Sequence, residues 1–234
     1  MGEIGTAFSL AIGLIAAGDP ALAGIVGLSL SVSLTAVAVA ALVGLPLGAA
    51  LAVARFPGRR AVIVALNALM GLPPVVAGLL IYLALSRSGP FGAFGLLFTP
   101  TAMIIAQAVL VAPILAALTR EALAAMWEEY EEQLRSFGAG AARAVPTILW
   151  DGRFALLTVL LAGFGRAAAE VGAVMVVGGN IEGFTRVMTT AIALETSKGD
   201  LPLALALGIV LMAVVLGVNL VAQVLRDVAG RRGA

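Results

Sequence analysis

Long apolar stretches, separated by short polar segments, occupy most of the chain. A membrane-spanning helix needs about 20 such residues, because the hydrocarbon core is ~30 Å thick and a helix rises ~1.5 Å per residue. Five stretches reach or approach that length: Leu22–Ala54, Ala61–Leu85, Pro100–Leu118, Phe154–Val177 and Leu201–Leu225. The pattern predicts an all-α polytopic membrane protein with about five transmembrane helices, forming a single membrane domain over residues 1–234.

An earlier apolar stretch, Ile4–Ala17, is shorter than the others. Its 14 residues would rise only ~21 Å as a helix, less than the hydrocarbon thickness. We therefore expect residues 1–20 to form an interfacial N-terminal segment.

The composition agrees with a membrane protein. Hydrophobic residues make up 62% of the chain and charged residues 12%, with a mean hydropathy of +1.11. Soluble domains are typically ~45–50% apolar and ~25% charged. These values exclude a cytosolic globular protein, and a net charge of +1 argues against nucleic-acid binding, which needs a basic face.

Missing residue types narrow the chemistry. The chain has no histidine, no cysteine and a single lysine, Lys198. Disulfides, thiolate or imidazole metal sites and a Ser-His-Asp triad are therefore excluded. Lys198 follows Ser197 and precedes Gly199, the wrong order for a nucleotide-binding P-loop. We predict no catalytic residue, no metal site and no cofactor on this chain.

The basic residues predict the orientation of the spans, since they concentrate in cytoplasmic loops. With five spans, three basic residues fall on one side: Arg87, Arg186 and Lys198. Ten fall on the other: Arg55, Arg59, Arg60, Arg120, Arg135, Arg143, Arg153, Arg226, Arg231 and Arg232. The N-terminus is expected outside and the C-terminus in the cytoplasm of a multi-pass cell-membrane protein.

The cytoplasmic segment between spans three and four, residues 119–153, is the most polar part of the chain. An apolar stripe at helical spacing runs through it: Leu123, Trp127, Tyr130, Leu134 and Phe137. Glu131 and Arg135 form an i,i+4 pair on the same helix. Gly138 and Gly140 should end this helix before a second one begins at Ala141. We predict a helix–turn–helix, serving either as a plain connector or as a docking element.

The run Glu131–Gly138 resembles the EAA loop of ABC importer permeases. In that family a Glu-Ala-Ala triplet is followed by three residues, a glycine, nine residues and then Ile-x-Leu-Pro. Glu132 and Gly138 fit this spacing, and Ile148 comes ten residues after the glycine. The sequence departs from the pattern at Gln133-Leu134, in place of Ala-Ala, and at Trp150-Asp151, in place of Leu-Pro.

Three further runs are most similar to tungstate-type permeases, which are related to molybdate and sulfate permeases: Tyr130–Trp150, Gly163–Arg166 and Ala169–Met175. The resemblance extends from about Leu30 to Leu225. It implies the membrane-spanning subunit of an ATP-driven importer that moves an oxyanion by alternating access. It favours tungstate, with molybdate or sulfate as the alternative.

The same resemblance implies partners and coupling residues. A second copy would complete the pore, two ATPase subunits carrying ATP and Mg²⁺ would bind the cytoplasmic segment, and an external protein would deliver the oxyanion. This places the assembly in the inner membrane. The coupling residues that the resemblance implies are Glu131, Glu132, Arg135, Gly138 and Ile148.

Two charges fall inside the fourth predicted span, where a central charge costs ~2.5–3.5 kcal/mol on insertion scales. Arg166 and Glu170 are one helical turn apart. One interpretation is a self-paired couple that fixes helix rotation. The other is that Arg166 lines the oxyanion route, because a guanidinium matches anionic oxygens.

A turn and a short helix follow that span. Gly178, Gly179 and Asn180 allow the chain to reverse, and Met188–Glu195 should form a helix carrying Thr189 and Thr190. The resemblance places this region near the external gate, so Asn180, Thr189 and Thr190 join Arg166 and Glu170 as predicted pathway or gate residues. An ordinary surface helix is the alternative.

Two other classes of function fit less well. An ion-coupled secondary transporter would show broken helices at matching positions of two halves, but the Pro-interrupted first and second spans lack counterparts in the fourth and fifth. A membrane enzyme with an acidic metal site would need clustered carboxylates, whereas Glu170 stands alone within the spans.

Overall fold

A computed structural model of the chain describes residues 3–136 and 140–232. Within those ranges the regular structure is entirely helical, without a strand. The α-helices are α1 Glu3–Ala16, α2 Pro20–Val53, α3 Arg59–Met70, α4 Pro74–Leu85, α5 Pro100–Ser136, α6 Ala141–Asp151, α7 Arg153–Ala168, α8 Gly172–Gly178, α9 Met188–Lys198 and α10 Leu201–Arg232. A short 3-10 turn, Gly92–Phe94, precedes α5.

The described helices include three to five candidate membrane spans, identified by length and apolar composition. Segments of α2, α5 and α10 are each long and apolar enough to cross a bilayer as single helices. Two helix pairs reach the required length only together: α3 with α4, bent by 98°, and α6 with α7, bent by 78°. The prediction of an all-α protein with several membrane-spanning segments is confirmed, and the number of candidate spans reaches five only if each bent pair counts as one.

The break between α3 and α4 has a local cause. Pro73 and Pro74 lack backbone N–H donors, and a proline disfavours helical geometry in the residue before it. Helix α3 therefore ends at Met70, and Pro74 becomes the first residue of α4, a position where a missing donor is harmless.

Helix α5 continues past the predicted end of the third span. It is 37 residues long, from Pro100 to Ser136, and therefore extends beyond Leu118. Where the membrane span itself ends stays a prediction. Residues 114–137 contain neither glycine nor proline, and their alanine, leucine, glutamate and arginine are good helix formers. The first helix of the predicted helix–turn–helix is therefore the end of α5, and the predicted turn at Gly138 lies outside the described residues.

The fourth span is not one helix over Phe154–Val177. Helix α7 ends at Ala168 and α8 begins at Gly172. The Glu170 carboxylate accepts a hydrogen bond of 3.0 Å from the backbone N–H of Ala173. This bond satisfies one of the donors that a new helix leaves unpaired in its first turn, so it stabilises the break.

The described residues form two compact sets. The first lies within residues 1–35, 74–107 and 167–234. There α10 packs against α1 and α9, around a buried cluster that includes Ala11, Leu22, Met188, Ala191, Ala206, Leu207 and Val210. Helix α4 packs on α8, most closely at Gly78, where an added Cβ would lie 2.7 Å from the Ala173 Cα.

The second set lies within residues 36–73 and 108–166. Helices α2 and α5 approach closely at two glycines one turn apart. A Cβ added at Gly44 would lie 2.9 Å from the Ala112 carbonyl oxygen, and one at Gly48 would lie 2.4 Å from that of Ala116. Small residues allow this approach between membrane helices. The prediction of a single domain over residues 1–234, with an interfacial segment at 1–20, stays a prediction.

Candidate transport and coupling sites

The polar segment at the end of α5 is held by an apolar core. Leu123 and Trp127 of α5 are buried together with Ala144 and Ile148 of α6, and Leu134 packs against this cluster. Most of the predicted apolar stripe is therefore confirmed, while Phe137 lies outside the described residues. Ile148, predicted to be a coupling residue, is 0% exposed, so its side chain supports α6 from within.

The predicted carboxylates on α5 have different surroundings. Glu132 is exposed. The side chain of Glu131 is only 15% exposed, and its Oε2 lies 2.9 Å from Nη2 of Arg55. Arg135 lies within α5, but its side chain is not among those described. The structure thus assigns Glu131 a partner that follows α2, 76 residues away in the sequence, which local spacing could not reveal.

Arg55 and Glu131 border a small polar cavity of about 190 Å³, which Arg59 and Glu128 also line. Arg59 donates through Nε to the Leu51 carbonyl oxygen at 2.8 Å. This bond satisfies one of the carbonyls left open at the end of α2, and a cation is favourable there. After α2, Arg59 thus bonds to the α2 backbone and Arg55 pairs with the Glu131 carboxylate of α5.

Glu170 lies between α7 and α8, next to α9. It is 3% exposed, and its backbone carbonyl accepts a 2.8 Å hydrogen bond from Oγ1 of Thr189. Because α7 ends at Ala168, Glu170 is not one helical turn beyond Arg166, as the sequence had predicted. Arg166 is half-buried in the last turn of α7. Both of its predicted roles, self-pairing and lining the oxyanion route, stay predictions.

The turn after α8 is tightly hydrogen-bonded. Gly179 and Asn180 adopt positive φ angles of 73° and 50°, a region that glycine enters freely and asparagine more often than most residues. The Asn180 side chain donates through Nδ2 to the Thr190 carbonyl at 3.4 Å. Thr190, fully buried, accepts through Oγ1 from the backbone N–H of Val187 at 3.1 Å and so caps α9. Helix α9 confirms the predicted short helix.

Thr185, which sequence reasoning did not single out, fixes this turn. Its hydroxyl is buried, donates to the Gly178 carbonyl at 2.6 Å and accepts from the backbone N–H of Ile181 at 2.9 Å. The only available signal was a threonine four residues after Ile181 in a glycine-rich turn, a spacing at which hydroxyls bond locally to the backbone. Glu170, Asn180, Thr189 and Thr190, together with Thr185, form what we call the gate cluster.

Replacing Thr185 with valine will loosen the gate cluster. Valine has a similar shape but leaves the buried Gly178 carbonyl unpaired, at a cost of ~1–3 kcal/mol, and also removes the acceptor of the partly buried Ile181 N–H. We expect a lower melting temperature and faster amide hydrogen exchange at residues 178–185. The matched control is Thr196→Val, since Thr196 is exposed and its hydroxyl bonds only to Ile192 within α9. Equal effects of the two substitutions would contradict the role of Thr185.

Comparison with known proteins shows the family. Residues 44–232 match the model described as "Binding-protein-dependent transport system inner membrane component". The chain is 42% identical to a tungstate uptake system permease protein of Peptoclostridium acidaminophilum, over 97% of this chain and 100% of that protein. It is 41% identical to a probable anion ABC transporter permease protein of Haloferax volcanii, over 91% and 94% of the respective lengths.

A more distant relative is a permease of a sulfate transport system. A sulfate transport system permease protein of Salmonella typhimurium is 28% identical over 76% of this chain and 67% of its own length. The predicted resemblance to ABC importer permeases is thereby confirmed, and the helical fold with several apolar spans agrees with it. The chain belongs to the family of inner membrane components of binding-protein-dependent transport systems.

Proposed function

We propose that this chain is the permease subunit of an ATP-driven importer of tungstate. The observation that carries the proposal is its 42% identity, along nearly the whole chain, to a permease named for tungstate uptake. Molybdate and sulfate are tetrahedral dianions of the same kind, and the weaker likeness to a sulfate permease makes them the alternative. The substrate would cross by alternating access, while ATP hydrolysis takes place on a separate subunit.

The ATPase subunits would bind at the end of α5 and at α6. Glu132 is exposed there, so its carboxylate is available to a basic residue of the partner. Ile148 is buried against α5 residues, which supports a unit that moves as one body. Glu131 is oriented by Arg55, and Gly138 and Arg135 keep the coupling roles that the family resemblance implies. ATP and Mg²⁺ would be held by the partner.

The pore would be formed by two copies of the chain in the inner membrane. The described helices of one copy supply three to five spans and one docking segment, and a homodimer would supply two segments for two ATPase subunits. An external oxyanion-binding protein would deliver the substrate on the side of the N-terminus. The C-terminus would lie in the cytoplasm, as the distribution of arginines predicts.

Within each copy, Arg166 and the gate cluster would control the substrate route. A guanidinium presents several N–H donors in a planar fork that suits an oxyanion, and Arg166 is half-buried rather than enclosed. The Glu170 and Asn180 side chains contact α8 and α9 respectively. Movement of α9, with Thr189 and Thr190, would therefore be linked to the α7–α8 junction.

Uptake into proteoliposomes tests the proposal. The chain, reconstituted with its ATPase, would be supplied with the binding protein loaded with tungstate, molybdate or sulfate. We expect ATP-dependent accumulation with tungstate favoured. A preference for another oxyanion would correct the substrate and leave the mechanism, whereas uptake that follows an ion gradient without ATP would overturn the proposal.

Replacing Arg166 with leucine will reduce oxyanion uptake at least tenfold, because losing one charge-assisted contact to the anion costs ~1.5–3 kcal/mol. Arg166→Lys, which keeps the charge, should retain part of the activity. The control is Arg87→Leu, an exposed arginine outside the proposed route. If uptake by Arg166→Leu is normal and only its thermal stability falls, then Arg166 has the structural role alone.

A further inference from the structure

An apolar groove of about 530 Å³ lies between α2, α6 and α7 in the second set of helices. Its walls include Leu42, Leu45 and Pro46 of α2 together with Pro146, Leu149 and Trp150 of α6. The volume falls within the range of ~300–1,000 Å³ typical of ligand sites. The core clusters do not fill this groove, so it is open to a ligand that is itself apolar.

One wall of the groove is an exposed residue of a candidate membrane span. Leu42 is 77% exposed and belongs to α2, one of the helices apolar enough to cross the bilayer alone. In a membrane, lipid would cover such a side chain. Acyl chains that surround α2 can therefore enter the groove directly.

One lining residue of the groove is an exposed tryptophan. Trp150 is 70% exposed, whereas the chain's other tryptophan, Trp127, is 6% exposed. Exposed tryptophans of membrane proteins concentrate at the headgroup level, where an apolar ring and a polar N–H are both accommodated. Trp150 thus marks the depth at which the apolar groove meets the bilayer interface.

A cation is held beside this tryptophan. The Arg153 guanidinium lies 5.1 Å from the Trp150 ring centroid and 4.7 Å from that of Phe154, and Nη1 donates to the Trp150 carbonyl at 2.9 Å. Among the side chains that the structure describes, no carboxylate forms an ion pair with Arg153. Since a guanidinium has five N–H donors, several remain for an outside acceptor. Arg143 is also exposed and lies on the same face of α6 as Trp150, two turns earlier.

We infer that this groove binds the acyl chain of an anionic phospholipid, whose headgroup phosphate is held by Arg153. The apolar walls select a hydrocarbon chain, and the Arg153 guanidinium beside Trp150 selects a negative headgroup over a zwitterionic one. A second copy of this chain is a poorer occupant, because a two-fold contact centred on the groove would bring the same arginines together. The inference concerns lipid binding and does not depend on which oxyanion is carried.

Tryptophan quenching in vesicles tests this site. The full chain would be reconstituted in two sets of phosphatidylcholine vesicles. One set would contain phosphatidylglycerol with brominated acyl chains, and the other, at the same mole fraction, phosphatidylcholine with brominated acyl chains. The fluorescence of the Trp150→Phe variant, which comes from Trp127 alone, would be subtracted from that of the unmodified chain to give the signal of Trp150. Trp127 is 6% exposed, so its own quenching should be small. We expect about fivefold preferential binding of the anionic lipid beside Trp150, the size of one charge contact near the membrane surface.

Two arginine variants sharpen the result. Arg153→Gln should remove the preference while bromine in the acyl chains still quenches Trp150. Arg60→Gln removes an exposed arginine of α3 that does not line the groove, and it should leave the preference unchanged. Equal quenching by the two brominated lipids in the unmodified chain would overturn the inference. Loss of all Trp150 quenching when the ATPase is added would also overturn it, by assigning the groove to that partner.

Discussion

Replacing Gly48 with alanine will destabilise the protein by about 3 kcal/mol, the upper end of the usual cost of overpacking. The new Cβ would lie 2.4 Å from the Ala116 carbonyl oxygen and 2.7 Å from the Thr119 Cβ. Since the nearest atom belongs to the backbone of α5, no side-chain rotation can relieve the clash, and α2 and α5 must separate. The melting temperature of the purified protein should fall by roughly 6–12 °C.

The same substitution elsewhere in α2 provides the control. A Cβ added at Gly27 would meet nothing within 4 Å, and alanine is favoured over glycine in helices by ~1 kcal/mol. Gly27→Ala should therefore leave the melting temperature unchanged or raise it. If Gly48→Ala and Gly27→Ala melt together, α2 and α5 do not pack as closely as the structure shows.

Replacing Glu132 with arginine will separate the permease from its ATPase. At the proposed docking segment, a carboxylate that pairs with a basic partner residue would become a like charge. Truncating one member of such a pair typically costs ~2–5 kcal/mol, so binding should weaken roughly thirtyfold or more. ATP-driven uptake should be lost, while the permease itself inserts and melts normally because Glu132 is exposed.

Glu129→Arg is the matched control for this experiment. Glu129 is also exposed on α5, lies one turn earlier and falls outside the resemblance to the EAA loop. The two variants change the net charge equally. Binding of the ATPase to each, measured by co-purification and by stimulated ATP hydrolysis, should differ clearly. Normal coupling in Glu132→Arg would refute the docking role of this carboxylate.

The sequence predicted most helices because their signals are local. The break before Pro74 and helix α9 follow from residue types within a few positions. The continuity of α5 beyond Leu118 was not predicted, because the fall in hydropathy there indicates where the apolar span ends and not where the helix ends, and no helix-breaking residue follows. The break after Ala168 depends on the hydrogen bond from Ala173 to Glu170, which hydropathy does not register.

Contacts between distant segments could not be predicted from sequence spacing alone. The Arg55–Glu131 pair joins residues 76 positions apart, and no spacing rule connects them. Gly44 and Gly48 did form a recognisable small-residue pair, but so short a motif is common in membrane helices. Only the facing carbonyls of Ala112 and Ala116 show that these two glycines determine how closely α2 and α5 pack.

The continuity of α5 has a mechanical consequence. Pro113 lies inside this helix, where it removes one backbone hydrogen bond and weakens the helix locally. Ser136, 23 residues further on, is roughly 35 Å away along the axis. If the end of α5 binds the ATPase as proposed, α5 would transmit a displacement along its length and bend most easily near Pro113. A shift of about 3 Å at that end would correspond to a tilt of only ~5° over that length.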